Sequence, residues 1–449
     1  MTTLAASSAD TPDAHDVDEA PDTPDGPKRR GLKHALALSG GGTIGARFLG
    51  ALGGLLAARL LGPAGRGELA LVVFLATAAS TAVSAGIQFW TARETARTGG
   101  VRLASWIVRV HLVVLTVVCL GVGLLLTAGV ALTGWSAVLV WLGVGIAVSN
   151  TFQAVLIALP TGVRAMGVFA AVVMLAGLVY AGTNAVLLAV GEASLSWVLV
   201  GMIAGNLLSL VVILVWLRRA PQGTGAVEQG RAAYARALRF GLPAGLGELL
   251  LFAMLRIDVV VVAMFLPLRD VGFYAVATSL AEMLWVIPDS VSIVVLPTTS
   301  SAPAESHTTR LLDVSVVVTF VAGAILSIVA GPLTRGLFGG SFASAADAVP
   351  VLALASVAGA VWKIVGAEVV ALGHTRPRLT SAVAGLATMV AVDVVAVPAF
   401  GIVGAALGSA VAYAVAGAVV TRCWSTVTGR PVAELLGLRR PVPAVEPRP

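Results

Sequence analysis

Residues 238–268 read LRFGLPAGLGELLLFAMLRIDVVVVAMFLPL. This stretch is long and apolar enough to cross a bilayer as one helix, which takes about 20 residues at 1.5 Å each. It nevertheless contains Glu248, Arg256 and Asp258. An ionised side chain at that depth costs roughly 3 kcal/mol on insertion scales, so it should face protein or water rather than lipid. The stretch therefore predicts a polar cavity inside a helix bundle, with a salt bridge between two helices as the structural alternative.

The composition of the whole chain agrees with a membrane protein. Of its 449 residues, 58% are hydrophobic and 12% are charged, whereas a soluble globular chain carries about 25% charged residues. The two cysteines, Cys119 and Cys423, lie in or beside apolar runs and form no CxxC pair. This pattern gives no indication of a disulfide framework, a metal site or redox chemistry.

The chain divides into twelve apolar segments, each with roughly the length that a membrane-spanning helix needs. The segments are about 35–61, 67–90, 103–130, 136–158, 166–190, 195–217, 238–266, 271–297, 311–335, 346–372, 378–399 and 401–424. This pattern predicts an all-α, polytopic membrane protein with about twelve transmembrane helices.

The positions of the basic residues predict the topology. Counted over alternate connections, 22 of the 29 Lys and Arg residues fall on the side of the two termini. The other side holds Arg59, Arg66, Arg269 and Arg335, of which Arg59 and Arg66 are expected at the outer interface. Cytoplasmic loops are rich in Lys and Arg, so both termini are predicted to be cytoplasmic. The net charge of +6 thus reflects topology, and no nucleic-acid partner is expected.

Composition also predicts the domain boundaries. The first 27 residues hold seven acids and no Lys or Arg, so residues 1–30 are predicted to be a disordered, acidic cytoplasmic tail. A loop rich in glycine and polar residues, 218–237, separates two six-helix lobes. The lobes are predicted at 31–217 and 238–427, and a second cytoplasmic tail at 428–449.

The two lobes are related in sequence. The turn LLGPAGRG at 60–67 corresponds to FLPLRDVG at 265–272, 205 residues later. Since each lobe has an even number of helices, the repeats share one topology about an axis along the membrane normal. Substrate paths in such folds lie between the halves.

Six short motifs of this chain carry a family resemblance. The turn at 60–67, the Arg256-Ile257-Asp258 triplet, VGFYAVA at 271–277, LAE at 280–282, ALGHTR at 371–376 and GIVGAA at 401–406 resemble the Wzx-like polysaccharide and oligosaccharide flippases. These belong to the multidrug/oligosaccharidyl-lipid/polysaccharide (MOP) exporter superfamily. The resemblance covers about residues 35–425 and implies two six-helix, MATE-like lobes that move lipid-linked sugars across the cell membrane by alternating access.

Buried ionisable residues are the candidate cavity lining. Arg47, Arg256 and Lys363 lie within predicted helices and are predicted to hold the phosphates of a lipid-linked head group, since Arg offers a bidentate fork and Lys a point charge. The acids are predicted to meet sugar hydroxyls, to pair with these cations or to bind a coupling ion. They are Glu248, Asp258, Glu282, Asp289, Glu368 and Asp393.

Three other classes stay open. One is an ion-coupled multidrug exporter of the MATE type, which suits the acids better than the three cations. The second, a membrane-embedded enzyme of glycan assembly, usually needs an extramembrane loop larger than this chain offers. The third is a membrane scaffold without transport. The partners expected for a flippase are its lipid-linked glycan, membrane lipids and a glycan polymerase or ligase. No cofactor is expected, and a coupling ion, H⁺ or Na⁺, is left open.

Overall fold

The structure is a computed structural model, and it describes residues 27–128, 136–223, 230–301 and 308–435. The regular elements of these ranges are helices. Those of the first half, the N-lobe, are α1 (Pro27–Ser84), α2 (Ile87–Thr98), α3 (Arg102–Ala128), α4 (Ala137–Gly162), α5 (Met166–Val190) and α6 (Leu195–Leu217).

The second half, the C-lobe, continues the helical pattern. It comprises α7 (Arg231–Phe265), α8 (Leu268–Glu282), α9 (Val286–Ser301), α10 (Thr308–Phe338), α11 (Val349–Ala371), α12 (Arg376–Phe400), α13 (Ile402–Thr428) and the short α14 (Val432–Leu435). Turns of 3₁₀ helix at Met283–Trp285 and Gly340–Ala348 lead into α9 and α11.

Helix α1 contains the first two predicted spans. It is 58 residues long and breaks at Gly62, where φ is 69° and ψ is −178°, directly before Pro63. Glycine adopts this backbone conformation without a Cβ clash, and the proline ring cannot continue the preceding helix. The second half of α1 ends at two residues of positive φ, Ala85 (48°) and Gly86 (70°), after which α2 begins.

Helices stand at all twelve predicted segments, which confirms an all-α polytopic fold with about twelve spans. Ten helices of the described residues are long and apolar enough to cross a membrane, and one of them, Gly41–Ser84, has 44 residues, enough for two crossings. Helix α7 has 35 residues and carries Glu248, Arg256 and Asp258; it is not among the ten.

Of the predicted tails and linker, residues 1–26, 224–229 and 436–449 lie outside the described residues. Two boundaries differ from the prediction: α1 begins at Pro27, so the last four residues of the predicted tail are helical, and α7 begins at Arg231, so the last seven residues of the predicted linker are helical. At the other end of the chain, α14 lies within the predicted C-terminal tail.

The lobes meet along α1, α2, α7 and α8. Helix α1 packs against α5 of its own lobe and also against α7 and α8 of the C-lobe, while α2 contacts α7. A buried apolar cluster crosses the boundary, since Ala58 of α1 belongs to the same core as Val262, Tyr274 and Phe342. We call the end where α1 breaks at Gly62, and where α7 gives way to α8, the first-turn end.

Candidate functional site

A polar cavity of about 330 Å³ lies between the two lobes, in their first-turn half. Its walls come from α1, α5 and α6 on one side and from α7 and α8 on the other. The lining includes Gly50, Gly54, Arg66, Thr77, Tyr180, Met202, Phe252, Arg256, Thr278, Ser279 and Glu282. We call this space the central cavity.

Two of the predicted site residues, Arg256 and Glu282, line the central cavity. The guanidinium Nη2 of Arg256 lies 2.8 Å from Oε1 of Glu282, and the two side chains are 39% and 38% exposed. Arg256 of α7 therefore pairs with Glu282 of α8, which is a salt bridge between two helices, the structural alternative to a cavity role. A partly open ion pair on a cavity wall can exchange its carboxylate for another anion.

Arg66 lies on the wall of the same cavity, which corrects the expectation that it snorkels at the outer interface. Its Nε has no hydrogen-bond partner among the described residues, and its charge interacts with those of Arg256 and Glu282. Two guanidiniums and one carboxylate give the cavity a net positive charge. The sequence did carry a signal for Arg66, since it shares a stripe of helical spacing with the other α1 residues that line the cavity, Leu69, Ala70, Val73, Phe74 and Thr77.

Arg59, by contrast, is exposed at the first-turn end, as expected. Its guanidinium donates hydrogen bonds to the backbone carbonyls of Gly336 and Leu337. These carbonyls belong to the last turn of α10 and have no partner within that helix. Arg59 therefore connects the N-lobe to the C-lobe.

A second group of predicted residues forms a separate cluster around Asp289. One carboxylate oxygen lies 2.6 Å from Nη1 of Arg47, and the other lies 2.7 Å from Nζ of Lys363. The Lys363 ammonium also stands 3.8 Å above the ring of Trp285, a cation–π contact. This Asp289 cluster ties α1 of the N-lobe to α9 and α11 of the C-lobe. Both cations are occupied by protein, so their predicted place against phosphates would require Asp289 to be displaced.

Asp258 and Asp393 lie inside the C-lobe. Asp258 is 3% exposed, and its carboxylate accepts hydrogen bonds from Tyr274 Oη at 2.5 Å, Ser409 Oγ at 3.2 Å and the Val259 amide at 2.8 Å. Asp393 is fully buried, and neither of its carboxylate oxygens has a hydrogen-bond partner among the described residues. The two carboxylates interact electrostatically.

Two consecutive residues of α13 contact these two acids. Gly408 faces Asp393 so closely that a Cβ would lie 1.7 Å from Oδ1 of the carboxylate. The next residue, Ser409, bonds Asp258. A small cavity of about 20 Å³, room for roughly one water-sized sphere, is lined by Asp258, Ser409 and Glu282, among others. It shares Thr278 and Glu282 with the central cavity.

The remaining two predicted acids each accept a hydrogen bond from a side chain of another helix. Glu248 accepts a hydrogen bond of 2.7 Å from Nε2 of Gln88, which links α7 to α2. Glu368 is 2% exposed and accepts one of 2.8 Å from the indole of Trp424. The nine predicted residues thus do not share one cavity.

A larger groove of about 480 Å³ lies in the N-lobe, between α1, α3 and α4. The described residues that line it are apolar or glycine, including Val72, Ala79, Cys119, Val140 and Val144. Among these residues no charged or strongly hydrogen-bonding side chain is available to a polar head group. The smaller, charged central cavity is therefore the candidate site. No three of the His, Cys, Asp and Glu residues that the structure describes come together as metal ligands would.

The fold and this inter-lobe cavity define a multi-span helical membrane protein. The sequence model of the family "Polysaccharide biosynthesis protein" matches residues 32–302, more than half of the chain. The chain belongs to this family, and the resemblance drawn from its motifs is confirmed.

Solved structures share the fold. The chain is similar to an inward-facing multidrug-resistance MATE family transporter of the MOP superfamily, with a TM-score of 0.70 and 15% identity over 85% of this chain and 96% of that one. It is equally similar to the lipid II flippase MurJ in an inward closed conformation, with a TM-score of 0.70 and 15% identity over 89% of each chain. A MATE transporter of Vibrio cholerae, VcmN, gives a TM-score of 0.61 and 13% identity over 90% of this chain and 98% of that one. No curated protein matches the sequence significantly.

Proposed function

We propose that this chain is a flippase that moves a lipid-linked oligosaccharide or polysaccharide precursor across the cell membrane by alternating access. The observation that carries the proposal is the positively charged central cavity between two related lobes, in a member of a polysaccharide biosynthesis family. A phosphorylated sugar head cannot cross hydrocarbon without losing its hydrogen bonds to water. A polar inter-lobe cavity replaces those bonds while the lipid tail stays in the bilayer.

The head-group phosphate is assigned to Arg66 and Arg256. The side chain of Arg66 has an unused Nε donor, and Arg256 holds only one carboxylate, Glu282. A phosphate that enters between the two guanidiniums would displace Glu282 and accept forked hydrogen bonds from both. At about 330 Å³ the cavity has the size of an ordinary small-ligand pocket. It accommodates the phosphate with its nearest sugar rather than a long glycan.

The acids of the C-lobe are proposed to bind the coupling cation. A fully buried carboxylate without a hydrogen-bond partner, such as Asp393, is strongly destabilised as a bare anion. It must bind either a proton or a cation, and a Na⁺ ion finds oxygen ligands in Asp258, Asp393 and Ser409. The small cavity beside Asp258 shares Glu282 with the central cavity. Because Glu282 also pairs with Arg256, a cation bound beside Asp258 would change the charge that Arg256 experiences.

The alternative is an ion-coupled multidrug exporter of the same fold. The acids of the C-lobe would serve such an exporter equally well, but its substrates are cations. The net positive charge of the central cavity favours an anionic substrate instead. We also propose that the chain catalyses no reaction, that it lies in the plasma membrane with both termini in the cytoplasm, and that a glycan polymerase or ligase uses the product.

The experiment that tests this proposal follows the lipid-linked sugar. Cells that lack the protein should accumulate a lipid-linked glycan on the cytoplasmic leaflet, and the wild-type chain should remove it. Cells that carry Arg66→Ala in place of the wild-type chain should again accumulate the lipid-linked glycan, although the variant protein is present at normal abundance. Arg269→Ala is the matched control, since Arg269 lies at the same end of the bundle but outside the cavity. If Arg66→Ala clears the lipid-linked sugar as well as Arg269→Ala does, the assignment of Arg66 is wrong.

A further inference from the structure

The lobes touch backbone to backbone where α1 and α8 cross at the first-turn end. A Cβ on Gly67 would lie 1.9 Å from the carbonyl oxygen of Leu268, and a Cβ on Gly272 would lie 1.9 Å from that of Pro63. Gly67 and Gly272 are 205 residues apart, and so are Pro63 and Leu268. Each lobe therefore makes the same contact with the other, and the crossing lies on the pseudo-twofold axis of the repeat.

Arg59 reinforces the crossing at the same end. Its hydrogen bonds to Gly336 and Leu337 cap the C-terminus of α10, where carbonyl groups carry the negative end of the helix dipole. This bond pair joins the lobes through one exposed side chain. It can break without repacking a core.

A second backbone contact between the lobes lies at the opposite end of α1. Gly86, between α1 and α2, has a φ of 70°. A Cβ on Gly86 would lie 2.0 Å from the carbonyl oxygen of Gly241, and a Cβ on Gly245 would lie 2.5 Å from the Gly86 amide nitrogen. Two residues further along, Gln88 donates its hydrogen bond to Glu248 of the C-lobe.

The central cavity lies between these two contacts, and both are formed in this structure. Interdigitated side chains resist separation, because parting them exposes apolar surface and empties packed space. Glycine surfaces are smooth, so they part and close again with little repacking. Any larger residue at these positions would hold the backbones apart.

We propose that the Gly67–Gly272 crossing and the Gly86–Gly241–Gly245 contact are the two gates of the transport cycle. Each gate closes only because glycine lets the two lobes meet backbone to backbone. The proposal rests on the alternating access of the proposed function. Beyond that function, the proposal identifies the contacts that open. It also states the direction in which a substitution at each contact shifts the conformational equilibrium.

The test measures access to the central cavity with a reporter thiol. Ser279→Cys places the thiol on the cavity wall, in a chain whose two native cysteines are replaced by Cys119→Ala and Cys423→Ala. A membrane-impermeant maleimide is applied to right-side-out and to inside-out vesicles. Gly67→Ala should raise labelling from the first-turn side relative to the other side by about tenfold. This is the change in the ratio of two conformations that corresponds to about 1.4 kcal/mol. The first-turn side is the predicted extracellular side.

Gly241→Ala should shift the labelling ratio in the opposite direction, because its Cβ would meet the Gly86 backbone at 2.8 Å. Arg59→Ala removes a latch at the first-turn gate without introducing a clash. Arg59→Ala should shift the labelling ratio in the same direction as Gly67→Ala. If Gly67→Ala is poorly expressed, Arg59→Ala alone tests whether the first-turn contact is a gate.

The matched control is Gly404→Ala. Its Cβ would lie 2.1 Å from the carbonyl oxygen of Ala396, a collision of the same kind inside one lobe, so it should leave the labelling ratio unchanged. Equal shifts for gate and control variants, or no shift for Gly67→Ala and Arg59→Ala, would overturn the proposal. Labelling needs no glycan. If the ratios shift while the wild-type chain moves no lipid-linked sugar, the gates stand and the proposed substrate is wrong.

Discussion

Asp258 and Asp393 should respond in opposite ways to removal of their charge. Asp258→Asn weakens three hydrogen bonds to a buried carboxylate, from Tyr274, Ser409 and the Val259 amide. Losing such bonds should lower the free energy of unfolding by about 1–3 kcal/mol. Asp393→Asn removes a buried acid that makes no hydrogen bond in the described structure, so stability should stay the same or increase. Both substitutions should nevertheless abolish cation-dependent transport.

The assay is thermal or denaturant unfolding of the purified proteins in detergent, with and without added Na⁺. A cation that binds only the folded state at ten times its dissociation constant stabilises the wild-type chain by about 1.4 kcal/mol. That gain should vanish in Asp393→Asn. Asp270→Asn, which changes a partly exposed acid near the first-turn end, is the control and should keep it. If Asp393→Asn loses as much stability as Asp258→Asn and the wild-type chain does not respond to Na⁺ or to pH, Asp393 has only a structural role.

Two further predictions follow from single contacts, and a third follows from the positions of the basic residues. Asp289→Asn should lower the free energy of unfolding by about 1–3 kcal/mol, because the Lys363 side chain is only 14% exposed and its ammonium would lose its carboxylate partner. In a double-mutant cycle, Lys363→Met should recover part of this loss, and full additivity would show that the two residues do not interact. Gly408→Ala should displace Asp393, whose Oδ1 would lie 1.7 Å from the new Cβ, and should reproduce the transport defect of Asp393→Asn; normal cation-dependent transport would disprove the packing argument. A reporter that functions only in the cytoplasm should be active when it is fused after Pro449. If instead only a reporter that functions outside the cytoplasm is active there, the predicted topology is wrong.

Hydropathy and turn chemistry were enough to predict the helices of this chain. Apolar runs of about 20 residues can satisfy their backbone groups in a bilayer only as helices, and the Gly62-Pro63 pair marked the break in α1. The repeat of LLGPAGRG at 265–272 was also visible in the sequence. It did not show that Gly67 and Gly272 touch each other, because a repeat gives the equivalence of two positions but not their distance.

The partners of the buried charges were harder to predict. Asp289 binds Arg47 across 242 positions of the chain and Lys363 across 74, and no local spacing rule reaches that far. Arg256 and Asp258 are close in sequence but leave α7 on different faces, because side chains two residues apart do not face each other on a helix. The partner of Arg256 is Glu282, 26 residues further along the chain. Arg66 was assigned to the interface because it follows a turn. Its position relative to the cavity depends on how α1 packs against α7 and α8.

The most direct test of the central claim is the flipping rate of Arg256→Ala, Glu282→Ala and their double variant. Each is measured in proteoliposomes that contain the lipid-linked sugar found to accumulate in cells lacking the protein. If Arg256 binds the head-group phosphate, Arg256→Ala and the double variant should both be inactive at normal abundance, and Arg256→Lys should recover only part of the rate because the bidentate fork is lost. If the Arg256–Glu282 pair only holds α7 against α8, Arg256→Ala should reduce the amount of folded protein, and the double variant should restore both abundance and flipping. Normal flipping by the double variant would contradict the assignment of Arg256 to the substrate.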